Sequence, residues 1–193
     1  MANVTILELV SLGGRHPNVR FLEQFGANCI VRLSIDPVIL APDVLQREMI
    51  VERRTPSTGA REFRESCMIG WQGTFSRDDC LKARRTSNDH RLTEDAAIVI
   101  MALLIHEFEK VIIENVLPIG SGGDYLGKIP GIASTSQVEV SGIRDDTKAT
   151  ARFRLQEKLN QVRTGYACVT TFLCRDEENA HSFLHHAEAE GKS

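Results

Sequence analysis

The chain reads Gly120-Ser-Gly-Gly-Asp-Tyr-Leu-Gly-Lys128 and, after a short linker of Pro, Gly, Ser and Thr residues, Gln137-Val-Glu-Val-Ser-Gly-Ile143. Both runs have the composition of short β-strands, and a turn rich in glycine precedes the first. Asp124 opens the first strand and Glu139 lies within the second. The sequence therefore predicts two neighbouring strands that each contribute one acidic side chain.

Strand alternation predicts which face each acid occupies. Side chains on a β-strand point alternately to opposite faces, so Asp124 shares a face with Lys128. By the same rule Glu139 shares a face with Gln137 and Ser141. If the two strands pair with these faces matched, the carboxylates of Asp124 and Glu139 lie close together.

The elements around these strands predict an α/β fold. An almost wholly apolar helix is expected from an N-cap at Thr93 to about Phe108, with Glu94 and Asp95 in its first turn. Strands are then expected over residues 110–119, 124–128 and 136–143, a helix after a cap at 145–147, a strand over 166–173 and a final helix from 176 onward. This order predicts a small mixed sheet flanked by helices.

The first ninety residues are expected to be rich in β-structure. Strand-like patterns cover residues 1–13, the run 27–35 before a turn at Asp36-Pro37, and two arms of a hairpin, 45–51 and 63–75, about a polar turn at 55–59. The polar segment Arg84 to Arg91 has no periodicity. We therefore expect an N-terminal β-rich region over 1–90 and an α/β core with a C-terminal helix over 91–193.

Composition excludes several classes of protein. The 193 residues have a net charge of −3, so the chain lacks the overall positive charge that favours nucleic-acid binding. The five cysteines form no CxxC pair, which is typical of reduced thiols inside a cell. The longest apolar run, Ala96 to Ile105, is about half of what a membrane span needs. We expect a cytoplasmic protein without membrane association.

Two neighbouring carboxylates have a simple chemical interpretation. They repel each other, and a divalent cation relieves the repulsion. Mg²⁺ binds through one or two carboxylates and keeps water and phosphate oxygens as its other ligands. Asp124 and Glu139 are therefore candidate ligands for Mg²⁺ or Mn²⁺, which would support hydrolysis of a phosphate ester.

Residues 93–175 resemble the core of the PD-(D/E)XK, or restriction-endonuclease-like, nuclease superfamily. The resemblance consists of the element order, Asp124 at the second strand and the triplet Glu139-Val140-Ser141 in the third. It implies a metal-dependent nuclease acting on DNA or RNA, of the kind found in defence or repair systems. It also implies that Asp124 and Glu139 bind the metal and that Glu94 is an auxiliary acid.

The chain departs from the family pattern at one position. A lysine that assists the attacking water is expected two residues after the second acid, where this chain has Ser141. Lys128, on the face of Asp124, and Lys158, on the following helix, are the candidate substitutes. Arg154, Lys158 and Gln161 lie on one face of that helix at spacings of four and three, and could contact a phosphate backbone.

Each of these features also has a structural interpretation. On this interpretation Asp124 is an ordinary turn residue after two glycines. The residues Arg154, Lys158 and Gln161 then form an ordinary solvated helix face. His181 and His185 could share a zinc ion, although the sequence favours a solvated terminal helix there. The alternative function is a non-catalytic α/β module with a degenerate nuclease-like fold and no cofactor. Such a module would bind a partner protein or form a homodimer through its N-terminal half.

Overall fold

One mixed β-sheet of eight strands organises the part of the chain that the structure describes. The structure, a computed structural model, describes residues 4–34, 46–59, 61–118, 123–176 and 179–187. The strands are β1 (Thr5–Glu8), β2 (Gln46–Arg54), β3 (Phe63–Gly70), β4 (Ile112–Val116), β5 (Tyr125–Lys128), β6 (Thr135–Asp146), β7 (Gly165–Cys174) and β8 (Ala180–Ala187). Their spatial order is β1-β3-β2-β8-β7-β6-β5-β4. Helices flank this sheet, so the predicted α/β class is confirmed.

Three of the strand pairs are parallel and four are antiparallel. The pairs β1–β3, β2–β8 and β6–β7 are parallel. The pairs β2–β3, β4–β5, β5–β6 and β7–β8 are antiparallel. Strands from before and after residue 90 therefore lie side by side in one sheet.

Helices cover the two faces of the sheet. They are α1 (Leu12–Arg15), α2 (Gly26–Leu33), α3 (Arg77–Thr86), α4 (Asp89–Glu109) and α5 (Lys148–Gln161). The larger core contains most of α4 together with Val138, Cys168 and Leu184. On the other face, Ala151 and Leu155 of α5 pack against Ala167, Val169 and Phe183. Alternate residues of β7 and β8 thus face α4 and α5 in turn.

The long helix α4 begins one turn earlier than the sequence predicts. Asn88, not Thr93, is the N-cap, and its side chain accepts a hydrogen bond from the backbone N–H of Arg91. Thr93 lies inside the helix and donates to the Asp89 carbonyl. The polar first turn hides the true start because the apolar run begins only at Ala96. Among the described residues, no helix is long and apolar enough to cross a membrane.

Two predicted element types are wrong. The β-rich run at 27–35 forms α2 as far as Leu33, because its apolar residues pack against α4 and a short apolar run does not distinguish helix from strand. The expected C-terminal helix is strand β8, which pairs with β2 on one side and β7 on the other. His181 is fully buried there, so the solvated-helix interpretation of the histidines is also wrong.

Other predictions agree with the structure. The hairpin forms from β2 and β3, about a turn in which Gly59 adopts a φ of 63°. All five cysteines lie in described segments and are buried and free. The turn at Asp36-Pro37 and the glycine-rich run Gly120 to Gly122 lie outside the described residues.

Candidate active site

The site forms where β5 and β6 separate. β5 pairs with β6 only over residues 135–138, whereas β6 continues to Asp146. At the point of separation the Asp124 backbone N–H donates to the Val138 carbonyl at 2.9 Å. The Asp124 carboxylate in turn accepts a hydrogen bond of 2.9 Å from the backbone N–H of Val140. Asp124 therefore occupies the junction at which the edge of β6 becomes free of β5.

The register of the two strands places the acids opposite each other. Tyr125 pairs with Val138, so the next step of the ladder sets Asp124 opposite Glu139. Tyr125 and Val138 point into the core on the α4 side. Asp124 and Glu139 consequently share the face covered by α5, which is the juxtaposition that strand alternation predicts.

Helix α5 brings Lys158 to both acids. Its Nζ atom lies 2.5 Å from Oε2 of Glu139 and 4.0 Å from Oδ2 of Asp124. These two distances place the carboxylate oxygens at most 6.5 Å apart. The helix is positioned by Ala151 and Leu155, which are buried against the sheet. Lys158 follows Leu155 by three residues and so projects from nearly the same side of the helix.

Burial differs sharply among the three side chains. The side chain of Glu139 is 7% exposed and that of Lys158 is 14% exposed, whereas Asp124 is 41% exposed. Burial raises the pKa of Glu139, and the neighbouring Asp124 charge raises it further, while Lys158 opposes both effects. A buried carboxylate beside a second carboxylate favours a bound cation. Lys158 supplies one positive charge, and the solvent-facing side of Asp124 leaves room for a bound cation that supplies a second.

A cleft of about 820 Å³ opens above these groups. Its volume is within the range of small-ligand sites. Its polar lining comes from α4, β6 and α5 and includes His90, Arg91, Glu94, Ser141, Arg154, Lys158 and Gln161. Its apolar lining includes Phe21, Phe25, Ile98 and Val116. The acids and Lys158 therefore face an accessible space bounded by both charged and apolar surfaces.

The structure separates the two candidate lysines. Lys158 lines the cleft and contacts Glu139, whereas Lys128 is not among the residues that line it. Lys128 is the last residue of β5, opposite Ile112 and Thr135 and four residues away from Asp124. It shares a strand face with Asp124 but is displaced along the strand.

The remaining predicted residues also lie in the cleft. Ser141 accepts a hydrogen bond of 3.3 Å from Nε of Arg154, whose Nη1 donates to Glu157 at 2.9 Å. Gln161 lines the cleft and its Oε1 lies 3.3 Å from Nζ of Lys158. Glu94 also lines the cleft, but it pairs with His90 at 3.3 Å and is half exposed. Its ion pair is therefore with His90 and not with Asp124 or Glu139.

Sequence reasoning missed the other half of the cleft. Arg91 pairs with the buried Asp95 at 3.0 Å, and its guanidinium lies 5.4 Å from the centre of the Phe25 ring. Asp95 also accepts a hydrogen bond of 2.6 Å from Asn28. The spacing of four between Arg91 and Asp95 predicts their ion pair. No pattern in the sequence links Phe25 to the acids, because folding alone places α2 and its preceding turn beside α4.

The donor set fits a metal that needs few protein ligands. Among the described residues, no group of three or more His, Cys, Asp or Glu side chains could hold a metal ion. Zinc usually takes three or four protein ligands. Mg²⁺ requires only one or two carboxylates, which Asp124 and Glu139 provide.

A second ionic cluster anchors α5 further along the same face. Nη2 of Arg152 lies 2.5 Å from Glu52 and 2.6 Å from Glu62, on β2 and just before β3. Glu52 also lies 3.1 Å from Nε2 of the buried His181. Burial opposes the ionisation of Glu52, but the hydrogen bond from Arg152 and the neighbouring His181 outweigh it and lower its pKa. The helix that holds Lys158 is thus tied to the N-terminal strands.

The arrangement places two carboxylates and one ammonium group at the base of an open cleft, beside the part of β6 that extends past β5. Groups of this kind can hold a divalent cation and stabilise negative charge on a phosphate. No protein-family model, curated protein sequence or solved structure matches the chain.

Proposed function

We propose that the protein is a Mg²⁺- or Mn²⁺-dependent nuclease with a restriction-endonuclease-like core, hydrolysing phosphodiester bonds of DNA or RNA. One observation carries the proposal: Nζ of Lys158 lies 2.5 Å from Glu139 and 4.0 Å from Asp124. The three side chains come from α5, β6 and β5. This is the set of groups that the resemblance to the superfamily requires, assembled although Ser141 replaces the expected lysine.

The element order supports the proposal. The segment α4, β4, β5, β6, α5 and β7 follows the sequence helix, three strands, helix and strand. Its first three strands are consecutive antiparallel neighbours, and β7 returns parallel to β6 after the α5 crossover. Beyond Val138, β6 extends past the end of β5, and this part of the strand lines the cleft beside the acids.

Each residue of the site has a chemical role under this proposal. Asp124 and Glu139 would hold the metal, which when bound neutralises phosphate charge and acidifies a water molecule. Lys158 favours the ionised form of the buried Glu139, against the effects of burial and Asp124, and donates a hydrogen bond to an attacking water or a phosphate oxygen. Arg154 and Gln161, on the same side of α5, bind the backbone of the substrate and position the scissile bond.

A nuclease assay with matched variants tests this function. Wild-type protein is incubated with single-stranded and duplex DNA and RNA in Mg²⁺ or Mn²⁺, beside Asp124→Asn and Glu139→Gln. We expect each variant to lose about 100-fold or more in cleavage rate, because each removes a charge that acts on the transition state. Glu114→Gln is the matched control, since Glu114 lies on β4 and is not among the residues that line the cleft. Equal activity in all four proteins, or no cleavage with either metal, would reject the proposal.

The non-catalytic alternative has one observation in its favour. Val4, Ile6 and Val10, in and around β1, are each more than half exposed, and β1 lies at the edge of the described sheet. An apolar edge strand is a site at which a second chain can pair. Light scattering of wild type and Ile6→Lys measures this. A dimer that Ile6→Lys dissociates, together with the absence of any cleavage, would favour the homodimeric module.

A further inference from the structure

We propose that the cleft accepts a single nucleic-acid strand and excludes a duplex, with bases against its apolar lining and phosphates toward α5. The proposal rests on the proposed nuclease function only for the chemistry of cleavage. The mode of binding is argued from the shape, the apolar lining and the charge of the cleft.

The cleft is small compared with a nucleic-acid duplex. Its volume of about 820 Å³ is within the range of small-ligand sites. The bases of a duplex stay inside the stack unless they are flipped out, so a site of this size does not admit them. An unpaired strand has no such constraint, because its bases can enter one at a time.

The apolar lining is the second argument. Phe25 and Phe21 pack edge to face, with ring centres 5.6 Å apart. Val116 is more than half exposed. Phe21, Phe25 and Ile98 pack against the core and present their remaining apolar surface to the cleft. Unpaired bases stack on aromatic rings without regard to sequence, whereas the base faces of a duplex are already stacked.

The charges of the cleft are the third argument. The described lining residues include three permanent cations, Arg91, Arg154 and Lys158, and four acids, which are Glu94, Asp95, Asp124 and Glu139. Without a divalent cation this balance repels phosphate. We therefore expect strand binding to require Mg²⁺ or Ca²⁺. Contacts from three cations also predict a shallow salt dependence, with a slope of about −2 in log affinity against log salt.

Fluorescence anisotropy provides the test without requiring cleavage. A labelled DNA strand of about 12 nucleotides, its RNA counterpart and the blunt DNA duplex of the same sequence are titrated with wild-type protein in Ca²⁺. We expect at least one of the single strands to bind about tenfold or more tightly than the duplex. Equal or tighter binding of the duplex would overturn the inference.

Variants locate the bound strand. Phe25→Leu keeps apolar volume but removes the ring, and Val116→Glu places a negative charge on an exposed position of the lining. Each should weaken single-strand binding about fivefold or more. The matched controls are Phe153→Leu and Val10→Glu, at positions 68% and 64% exposed that are not among the cleft-lining residues. Both controls should bind as wild type does.

The outcomes separate this inference from the proposed function. Unchanged affinity in Val116→Glu, which should fold normally because the position is exposed, overturns the proposed binding site. Single-strand binding that responds to both cleft variants, without cleavage of any substrate, supports the inference and rejects the nuclease. Cleavage of duplex without a preference for single strands supports the nuclease and overturns the inference.

Discussion

The ammonium of Lys158 lies 2.5 Å from the Glu139 carboxylate, and 19 positions of sequence separate the two residues. The resemblance to the nuclease superfamily places the lysine two residues after the acid, on the same strand. Here a helix that packs on that face of the sheet supplies it instead. Under the proposed function, Lys158 would take the place of the expected lysine from a different element of the fold.

The two lysines provide a direct test of this substitution. Lys158→Met should reduce the rate of metal-dependent cleavage by about 100-fold or more, because it removes the charge beside Glu139. Lys128→Met should retain nearly full activity, since Lys128 is not among the cleft-lining residues. Single-turnover cleavage rates measure both. Loss of activity in Lys128→Met with retention in Lys158→Met would assign the role to the other lysine.

Glu139→Gln should change how stability depends on pH. Burial and Asp124 raise the pKa of Glu139 in the folded protein despite Lys158, so the folded state holds this proton more tightly than the unfolded state. Its contribution to stability is complete below the ordinary glutamate pKa and is lost as pH rises through the raised pKa. Glutamine does not titrate. In urea unfolding between about pH 5 and about pH 8, the free energy of unfolding of the variant should therefore increase relative to that of wild type as pH rises.

Metal binding should show the opposite dependence on pH. A carboxylate must lose its proton to bind Mg²⁺, so the affinity of the site should rise with pH as Glu139 ionises. Because a ligand stabilises the state that binds it, Mg²⁺ should raise the wild-type melting temperature more at about pH 8 than at about pH 5. Glu139→Gln should show little change at either pH. An equal Mg²⁺ effect in both proteins would place the metal elsewhere.

Replacing two arginines of α5 should affect different properties of the protein, stability for Arg152 and substrate binding for Arg154. Arg152→Ala removes the arginine that lies 2.5 Å from the buried Glu52 and should destabilise the protein by about 1–3 kcal/mol. This range is lower than for a fully buried ion pair because Arg152 is half exposed. Arg154→Ala removes an exposed pair with Glu157 and a long hydrogen bond to Ser141, and should alter stability by less than about 0.5 kcal/mol. It should weaken substrate binding instead. Unfolding free energies and substrate affinities of the two variants test this division.

His16 should contribute to sensitivity to acid. Its Nε2 donates to the Ala102 carbonyl at 2.9 Å, and its Nδ1 accepts from the Ile113 N–H at 3.0 Å, so the neutral ring is the form required. Burial lowers its pKa from 6.5 to about 4. The stability it provides is therefore complete above pH 6.5 and is lost as pH falls toward 4, a loss of roughly 3 kcal/mol.

His16→Gln tests this contribution because glutamine can make both hydrogen bonds but does not titrate. The variant should lose less stability than wild type between about pH 7 and about pH 4 in urea unfolding. Some acid sensitivity should remain, since burial also lowers the pKa of His185 to about 4. Parallel pH profiles of the two proteins would contradict the assignment to His16.

Local rules predicted the acids but not the residues that surround them. Asp124 and Glu139 follow from strand alternation, because a side-chain period of two fixes the face once the strands pair. The choice of Lys158 over Lys128 depends on how α5 packs on the sheet, and sequence spacing does not determine that packing. The types of α2 and β8 were wrong because burial against α4, and pairing with both β2 and β7, outweigh local preference.

The place of β8 in the sheet has a consequence for how the protein forms during synthesis. β2 pairs with a strand made more than a hundred residues later: Met49 lies opposite Ala180. Until β8 has been synthesised, β2 has β3 on one side and no permanent neighbour on the other. Loop closure over such a distance is slow, and an uncovered strand invites pairing with other nascent chains. We therefore expect the sheet to be completed only after β8 has been synthesised, with chaperone dependence concentrated in the interval before it.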